Sequence, residues 1–134
     1  MAGSIKELSA YRYERAAEEL ENAQAMLEAG KFKLALNRSY YAIFHAMRSV
    51  NILDEFDSSK HSGVIAHFNQ YHVKTGHFPK DASKIIKNAS EMREHADYED
   101  FFAVSRHNAK EQIEKAENFV SMVNAYLEDN QIFT

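Results

Sequence analysis

The fold is decided by residues 35–48, which read ALNRSYYAIFHAMR. This stretch contains no Gly or Pro, so it predicts a helix. It nevertheless carries Asn37, Arg38, Tyr41 and His45 among its apolar residues. Residues seven apart return to nearly the same face of a helix, so Arg38 and His45 should lie on one side, about two turns apart. A mid-chain helix with so many polar groups either borders a site or packs against a partner.

The rest of the chain predicts further helices on both sides of this one. One Pro and four Gly in 134 residues leave few positions that break a helix. Helical patterns cover residues 4–30, about 31–51, 60–73, from 81 or 83 until the pattern weakens at 98, and from 105 to about 128. Nothing reads as a strand. We therefore predict an all-α, antiparallel up-and-down bundle of four to five helices, forming a single domain over residues 1–134 with an ordered core at about 4–128.

Several residues mark the expected helix ends. Ser4 and Glu7 form a capping-box pattern at the start of the first helix, and Gly30 suits the position just past its end. Its exposed face is expected to carry Glu14, Glu18, Glu19 and Glu21. Further caps are expected at Ser58 or Ser59, at Asp81 or Ser83, and at Ser105. Residues 129–134 should fray.

The composition excludes several classes of protein. Apolar residues make up 45% of the chain, enough for a core, and charged residues make up 27%. No run approaches the roughly 20 apolar residues that a membrane-spanning helix needs. The N-terminus has no apolar signal region and Cys is absent, so we expect a cytoplasmic protein without disulfides or thiolate metal sites. With a net charge of -4, any RNA contact would need a local basic patch.

The polar residues of the second helix have two interpretations. In the functional one, Arg38 binds an anion such as phosphate, His45 transfers a proton, and Tyr41 stacks or donates a hydrogen bond. In the structural one, they are buried polar groups that tie this helix to its neighbours. Arg93 and Asp97, four residues apart, also have two interpretations. They form an ion pair on the surface, or Asp97 orients Arg93 toward a cleft.

Four histidines, at positions 61, 67, 72 and 77, raise the question of a metal site. Their steps of six, five and five residues do not match the i,i+4 step that lets two histidines of a helix share a metal. Only His61 and His72 would return to one face, about 16 Å apart along a helix. No acidic ligand is obviously placed with them. The spacing therefore predicts no metal and no cofactor.

Three blocks of sequence resemble the HEPN-domain family, in its small prokaryotic branch. They are NRSYYAIFHAMR at 37–48, SKHSGVI at 59–65 running on to VKTG at 73–76, and REHADY at 93–98. The matches fall in family order and span roughly residues 10–127. The resemblance implies a helical bundle that usually forms a homodimer. It also implies a setting beside a minimal nucleotidyltransferase partner, as one half of a toxin–antitoxin pair.

The resemblance leaves the activity open. Active members of the family resemble metal-independent ribonucleases, in which an Arg and a His with four to six residues between them cleave RNA. Arg38 and His45 satisfy that spacing and are the candidate catalytic residues. The family's ribonuclease motif, however, usually lies late in the chain, near Arg93, where the His slot would hold Tyr98, Glu99 or Asp100. A Tyr or an acid does not readily replace His near neutral pH.

We therefore expect a nucleotide- or RNA-binding component of a toxin–antitoxin pair. The sequence favours binding over catalysis. The expected ligand-binding residues are Asn37, Arg38, Tyr41, His45, His61, Arg93, Asp97 and Tyr98. The alternatives are a ribonuclease toxin that uses Arg38 and His45, and a non-catalytic dimeric scaffold in which the polar stripe of the second helix is the dimer seam. The family also suggests Tyr98 as an acceptor of a nucleotidyl group.

Overall fold

Five α-helices form the structure. The computed structural model describes the backbone of residues 2–133 and the side chains of residues 4–133. The helices are α1 (Ala2–Glu28), α2 (Phe32–Asn51), α3 (His61–Phe68), α4 (Lys80–Tyr98) and α5 (Arg106–Asp129). A short 3₁₀ helix at Ile52–Asp54 follows α2, and a π-helical segment at Asn69–Val73 continues α3. No residue between 2 and 133 lies in a strand, so the predicted all-α bundle is confirmed.

The sequence predicts the C-terminal end of α1 correctly but not its N-terminal end. Gly30 has a φ of +76°, and the amides of Gly30 and Lys31 donate to the carbonyls of Leu27 and Met26. This is the left-handed glycine ending that the sequence predicts. The predicted capping box is wrong, because α1 already begins at Ala2 and Ser4 therefore lies inside the helix.

Helix α2 is the centre of the bundle and contacts α1, α3, α4 and α5. Thirteen of its 20 residues are buried. Its buried hydroxyls find backbone partners: Ser39 donates to the carbonyl of Ala35, and Ser49 donates to that of Ala46. Ser9 of α1 donates to the Ser49 carbonyl at 2.6 Å. Serines can therefore be buried in this helix without losing their hydrogen bonds.

The helix predicted at 60–73 forms, but its last turn is not an α-helix. The regular part ends at Phe68, and residues Asn69–Val73 have π-helical hydrogen bonding. Ser58 accepts a hydrogen bond from the Lys60 amide at 3.1 Å, yet the residue at the cap position is Lys60. The predicted serine cap at this helix, at Ser58 or Ser59, is therefore wrong.

Helices α4 and α5 complete the bundle. Helix α4 begins at Lys80, directly after Pro79, and not at Asp81 or Ser83. Ser105 caps α5 as predicted, since its hydroxyl accepts from the Asn108 amide at 3.0 Å. Six apolar residues that recur along α5 at steps of three and four are buried: Ala109, Ile113, Ala116, Val120, Val123 and Leu127.

The main core draws on all five helices. It includes Ala16 of α1, Met47 of α2, Phe68 of α3, Ile86 of α4 and Phe119 of α5, each at most 1% exposed. Burying a large apolar side chain of this kind contributes roughly 1.5–3 kcal/mol. A second, smaller cluster joins α1, α2 and α5 near the α1–α2 turn. Within residues 2–133, no helix combines the length and apolar character that crossing a membrane requires.

The C-terminal segment stays packed against the bundle after the helix ends. Helix α5 stops at Asp129, but Ile132 is only 7% exposed and belongs to the core. The ring of Phe133 meets that of Tyr13 edge-on, with 5.3 Å between centroids. The predicted fraying is wrong for residues 130–133, and Thr134 lies outside the described residues.

Candidate functional site

A polar network connects α2 to α4. The Asn37 amide donates to an Asp97 carboxylate oxygen at 3.4 Å, and Arg93 donates to the same oxygen at 3.3 Å. The Asn37 carbonyl oxygen accepts from Arg38. The structure therefore brings together four of the predicted site residues, and the Arg93–Asp97 pair is exposed on its Asp97 side.

Tyr40 extends this network toward α3, although the sequence did not mark it as a site residue. Its hydroxyl and His61 Nδ1 are 3.0 Å apart, and the Arg93 guanidinium lies 4.6 Å from the centre of its ring. Burial raises the pKa of Tyr40 to about 12, against the opposing charge of Arg93. Burial and Arg93 both lower the pKa of His61, which favours its neutral form. Neutral His61 and the Tyr40 hydroxyl thus share one hydrogen bond beside a fixed positive charge.

Arg38 is held by α1. Its guanidinium lies 2.7 Å from a carboxylate oxygen of Glu19 and 5.1 Å from the centre of the Tyr41 ring. Glu19 is only 7% exposed, so its predicted place on the wet face of α1 is wrong. A buried carboxylate and an aromatic ring together fix Arg38 in one orientation.

His45 lies below the surface, on the α1 side of α2. Its ring is 8% exposed and contacts the rings of Tyr41 and Phe44, at 6.2 and 5.8 Å between centroids. Burial lowers the pKa of His45 to about 4, and Arg15 is the next cause. The side chain is therefore a neutral imidazole at pH 7. Arg38, its predicted catalytic partner, is not among the charged groups that shift this pKa.

Three arginines surround His45, and we call them the arginine face: Arg12, Arg15 and Arg48. All three oppose protonation of His45. Arg12 and Arg48 each donate to Asp57 at 2.9 Å. Burial raises the pKa of Asp57, but the bonds to the two arginines outweigh this and hold it at about 2. One Asp57 carboxylate serves two of these arginines, and Glu19, the acid that also acts on His45, pairs with Arg38, so the face keeps a net positive charge. Arg12 is only 9% exposed, so Arg15 and Arg48 present this charge to the solvent.

Sequence reasoning missed the arginine face. A signal was present, because Arg12 and Arg15 are three residues apart on α1 and Arg48 follows His45 by three residues on α2. The pattern could not show which side of α1 is turned toward α2.

An open pocket of about 400 Å³ adjoins the arginine face. Its lining residues are Phe44, Arg48, Asp57, Ser58, Ser59 and His61. It therefore offers a guanidinium, two hydroxyls and two aromatic faces in one place, together with the Asp57 carboxylate that pairs with the guanidinium. This combination suits a phosphate that carries an attached base or sugar.

Tyr98 is the predicted site residue that the structure leaves apart. It lies at the C-terminal end of α4 with 76% of its surface exposed. Nearby, His95 pairs with Glu99 at 3.0 Å, and both side chains are largely exposed. The α2–α4 network ends at Asp97, and Tyr98 lies on the surface beyond it.

Asp54, His67 and His72 form a second cluster, at the other end of α2. One Asp54 oxygen lies 2.9 Å from His67 Nε2 and 2.6 Å from His72 Nε2. His72 Nδ1 lies 3.2 Å from Nδ1 of His77. The three potential ligand atoms of Asp54, His67 and His72 all lie within 4.8 Å of one another. The spacing argument is therefore wrong about the geometry, because it did not expect His67 and His72 to lie together with an acid beside them. Its conclusion that no metal binds stays a prediction.

The class of protein follows from these features. It is an all-α bundle with a polar, partly basic site beside a central helix. The sequence pattern of the HEPN domain matches residues 9–126, and the chain belongs to the HEPN family.

Named relatives agree with this assignment. A protein of Thermotoga maritima named "UPF0332 protein" is 35% identical over 119 residues, covering 89% of this chain and 90% of that protein. A Methanocaldococcus jannaschii protein named "Putative toxin MJ0142" is 28% identical over 124 residues, covering 87% and 84%. A second protein of that organism, named "Putative toxin MJ0605", is 34% identical over 85 residues, covering 63% of each chain. The chain is thus similar both to UPF0332 proteins and to proteins with toxin names.

Proposed function

We propose that this protein is the toxin-type member of a two-protein system and that it binds RNA phosphates on the arginine face. The carrying observation is the convergence of Arg12, Arg15 and Arg48 around His45 in a chain with a net charge of -4. A local basic patch is the condition that RNA binding by such an acidic protein requires. A nucleotide presents the same phosphate chemistry in a smaller ligand.

The pocket beside the face supplies the remaining contacts. Arg48 lies at the pocket wall, and the hydroxyls of Ser58 and Ser59 are further donors for phosphate oxygens. Phe44 and His61, 4.4 Å apart between ring centroids, offer aromatic surface on which a base can stack. Stacking and phosphate contacts together tolerate many sequences, so we expect binding with little base specificity.

Partners belong to the same proposal. Membership of the HEPN family and the toxin names of two relatives support a minimal nucleotidyltransferase as the second protein and a homodimer as the working form. The polar stripe of α2 does not support the scaffold alternative, because Arg38 faces Glu19 of α1 and Asn37 faces Asp97 of α4. Those groups are engaged within one chain, so we place the dimer contact elsewhere on the surface.

The test measures RNA binding by fluorescence anisotropy, with a labelled single-stranded RNA titrated at several salt concentrations. Arg15→Ala is the main variant, because Arg15 is exposed and forms no salt bridge with another side chain of residues 4–133. We expect several-fold weaker binding and a salt slope lowered by about 0.7 for each phosphate that the protein no longer neutralises. Unlabelled AMP serves as the competitor that distinguishes a nucleotide site from an RNA surface.

The matched control is Lys87→Ala, which removes one positive charge from a side chain that is 79% exposed on α4. It should bind RNA as the wild type does. Equally weakened binding in Arg15→Ala and Lys87→Ala would reduce the effect to overall charge and would overturn the proposal. So would the absence of salt-dependent binding in the wild type.

A ribonuclease is the second candidate, and the neutral state of His45 favours it. A neutral imidazole can accept the proton of an RNA 2′-hydroxyl, and neighbouring arginines can stabilise the charge that develops on the phosphate. Binding is proposed first because His45 is buried and because a pKa of about 4 makes it a weak base at pH 7. Expression of an active ribonuclease should arrest growth, and His45→Ala should relieve the arrest. Normal growth with the wild-type protein, confirmed as soluble and folded, would contradict this candidate.

A further inference from the structure

We propose that Asp54, His67 and His72 form a binding site for a divalent transition-metal ion of the Zn²⁺ type. Two imidazole nitrogens and one carboxylate oxygen, all within 4.8 Å of one another, are the donor set. Two histidines and one carboxylate leave further coordination positions open, as in many protein sites for such ions. The site is separate from the arginine face and does not depend on the proposed function.

The backbone explains why histidines five residues apart can meet. In an α-helix, a step of five residues turns the side chain by about 140° away from the starting face. His72 lies within the π-helical segment Asn69–Val73, where each turn takes more residues and a five-residue step returns closer to the same face. Single π-helical turns are rare in proteins, and those that occur are often found at functional sites.

Asp54 reaches the cluster through a second uncommon backbone feature. It ends the 3₁₀ helix after α2, and the next residue, Glu55, has a φ of 58°. The backbone of a residue other than glycine seldom adopts this left-handed conformation. Residues that do so are concentrated at active sites and ligand-binding sites. The sharp turn brings the Asp54 carboxylate over α3.

The donor atoms are close to the positions that a metal requires. Zinc bonds of about 2.0–2.2 Å in a tetrahedral site separate neighbouring ligand atoms by about 3.3 Å. The Asp54 oxygen is 2.9 and 2.6 Å from the two nitrogens, so it would move outward by less than about 1 Å. Its side chain is 36% exposed at a surface turn, which leaves room for that movement.

The histidine rings are held in place by their surroundings. The His67 ring stacks on Phe56, with 4.1 Å between centroids and planes 8° apart. His72 is 1% exposed and packs against Phe68 and Tyr126. Rings fixed in this way lose little further freedom when they bind an ion, and such support shells are part of most metal sites.

His77 serves as the outer partner of His72. Without a metal, His72 donates from Nε2 to Asp54 and its Nδ1 accepts from His77. When Nε2 binds an ion, the proton of His72 must be on Nδ1, and the same 3.2 Å contact then runs from His72 to His77. The bond survives with its direction reversed, and in that direction it stabilises the tautomer that presents Nε2 to the metal.

The electrostatic surroundings and the open side also suit a cation. The titratable groups that act on His72 are Asp54, His77 and His67, with no Arg or Lys among them in residues 4–133. Asp54 and His67 line an open pocket of about 420 Å³, together with Gln70 and Tyr71. Water can therefore reach the fourth coordination position from this pocket.

The test titrates Zn²⁺ into the metal-stripped, tag-free full-length protein by isothermal titration calorimetry. We expect one ion per chain. Asp54→Asn and His67→Gln should each weaken binding by at least about tenfold, since each removes one ligand. His77→Gln should weaken it by a smaller factor, since His77 only orients His72. Zn²⁺ should also raise the Tm of the wild type and leave that of Asp54→Asn unchanged.

The matched control is His107→Gln, whose side chain is 83% exposed beside Glu111 on α5. It should bind Zn²⁺ as tightly as the wild type. Loss of binding in this control alone, or binding that survives both Asp54→Asn and His67→Gln, would assign the ion to the surface and overturn the proposal. An absence of measurable binding to the wild type would overturn it too, and would leave the cluster as a hydrogen-bond network only.

A second measurement keeps the proposal testable if a variant fails to fold. In the wild-type protein, Zn²⁺ should shift the NMR signals of the His67 and His72 imidazoles. The signals of His95 and His107 should stay in place. Shifts confined to the latter two histidines would contradict the assignment.

Discussion

His45 and the pair His67/His72 show the same side chain in opposite electrostatic surroundings. His45 lies among three arginines, with its pKa lowered to about 4. His67 and His72 instead share a single carboxylate, at 2.9 and 2.6 Å. Among residues 4–133, three of the four charged groups that act on His45 are arginines, whereas Asp54 is the charged partner that His67 and His72 share.

Burial and sequence spacing alone therefore do not predict which charged groups surround a histidine. His45 and His72 are both buried, at 8% and 1% exposed. What separates them is the charge of the neighbours that distant parts of the chain supply. Arg12 comes from α1, more than 30 residues before His45, and Asp54 precedes His72 by 18 residues. The role of these neighbours can be tested at each histidine.

The largest effect is expected from His72→Ala, which should lower the free energy of unfolding by about 2–4 kcal/mol. The change leaves a cavity beside Phe68 and removes a buried partner of Asp54. Urea unfolding in the presence of EDTA measures the cost without any metal contribution. His67→Ala, at a position where the ring is partly exposed, should cost only about 1 kcal/mol. Equal costs would break the distinction between a buried and an outer member of the cluster.

The next effect concerns pH and His45. Its folded pKa of about 4 lies below its unfolded value of 6.5, so the folded state resists protonation. Its contribution to stability is therefore complete above pH 6.5 and is lost as the pH falls toward 4. Between pH 7 and pH 5, the wild type should lose about 2 kcal/mol that His45→Gln does not lose. Parallel pH profiles for the two proteins would show that His45 is not the group whose protonation destabilises the folded state.

The smallest change in stability is expected at His61. Its hydrogen-bond partner is a neutral hydroxyl, whereas His45 lies among arginines and His72 contacts a carboxylate. Tyr40→Phe removes the 3.0 Å contact with His61 and keeps the buried ring. It should lower the free energy of unfolding by about 1 kcal/mol. Tyr71→Phe is the control, because Tyr71 is 50% exposed. A Tyr40→Phe variant as stable as this control would show that the hydroxyl contributes nothing measurable.

Much of the fold was predictable because it depends on local pattern. The stop at Gly30, the cap at Ser105 and the apolar face of α5 follow from residues within a turn or two of each other. The contact of Arg93 with Asp97 is local in the same way. These predictions succeed since an α-helix fixes the relation between residues three and four apart.

The predictions that failed depended on backbone geometry or on distant contacts. The expected separation of His67 and His72 assumed an α-helical step between them, and the π-helical segment changed that step. Glu19 was placed in solvent because no pattern on α1 shows that Arg38 of α2 would pair with it. Fraying was expected at the C-terminus because the sequence does not show Ile132 docking into the core.

The sequence by itself determined the class of fold, the order of the helices and the family. Periodicity and helix-ending residues act locally, and they survive in any arrangement of the helices. Only the tertiary structure decided which side of α1 meets α2, and so whether His45 faces arginines or acids. It alone also placed Asp54 over His67 and His72. Electrostatic environment is a property of neighbours in space, and those neighbours are chosen by packing.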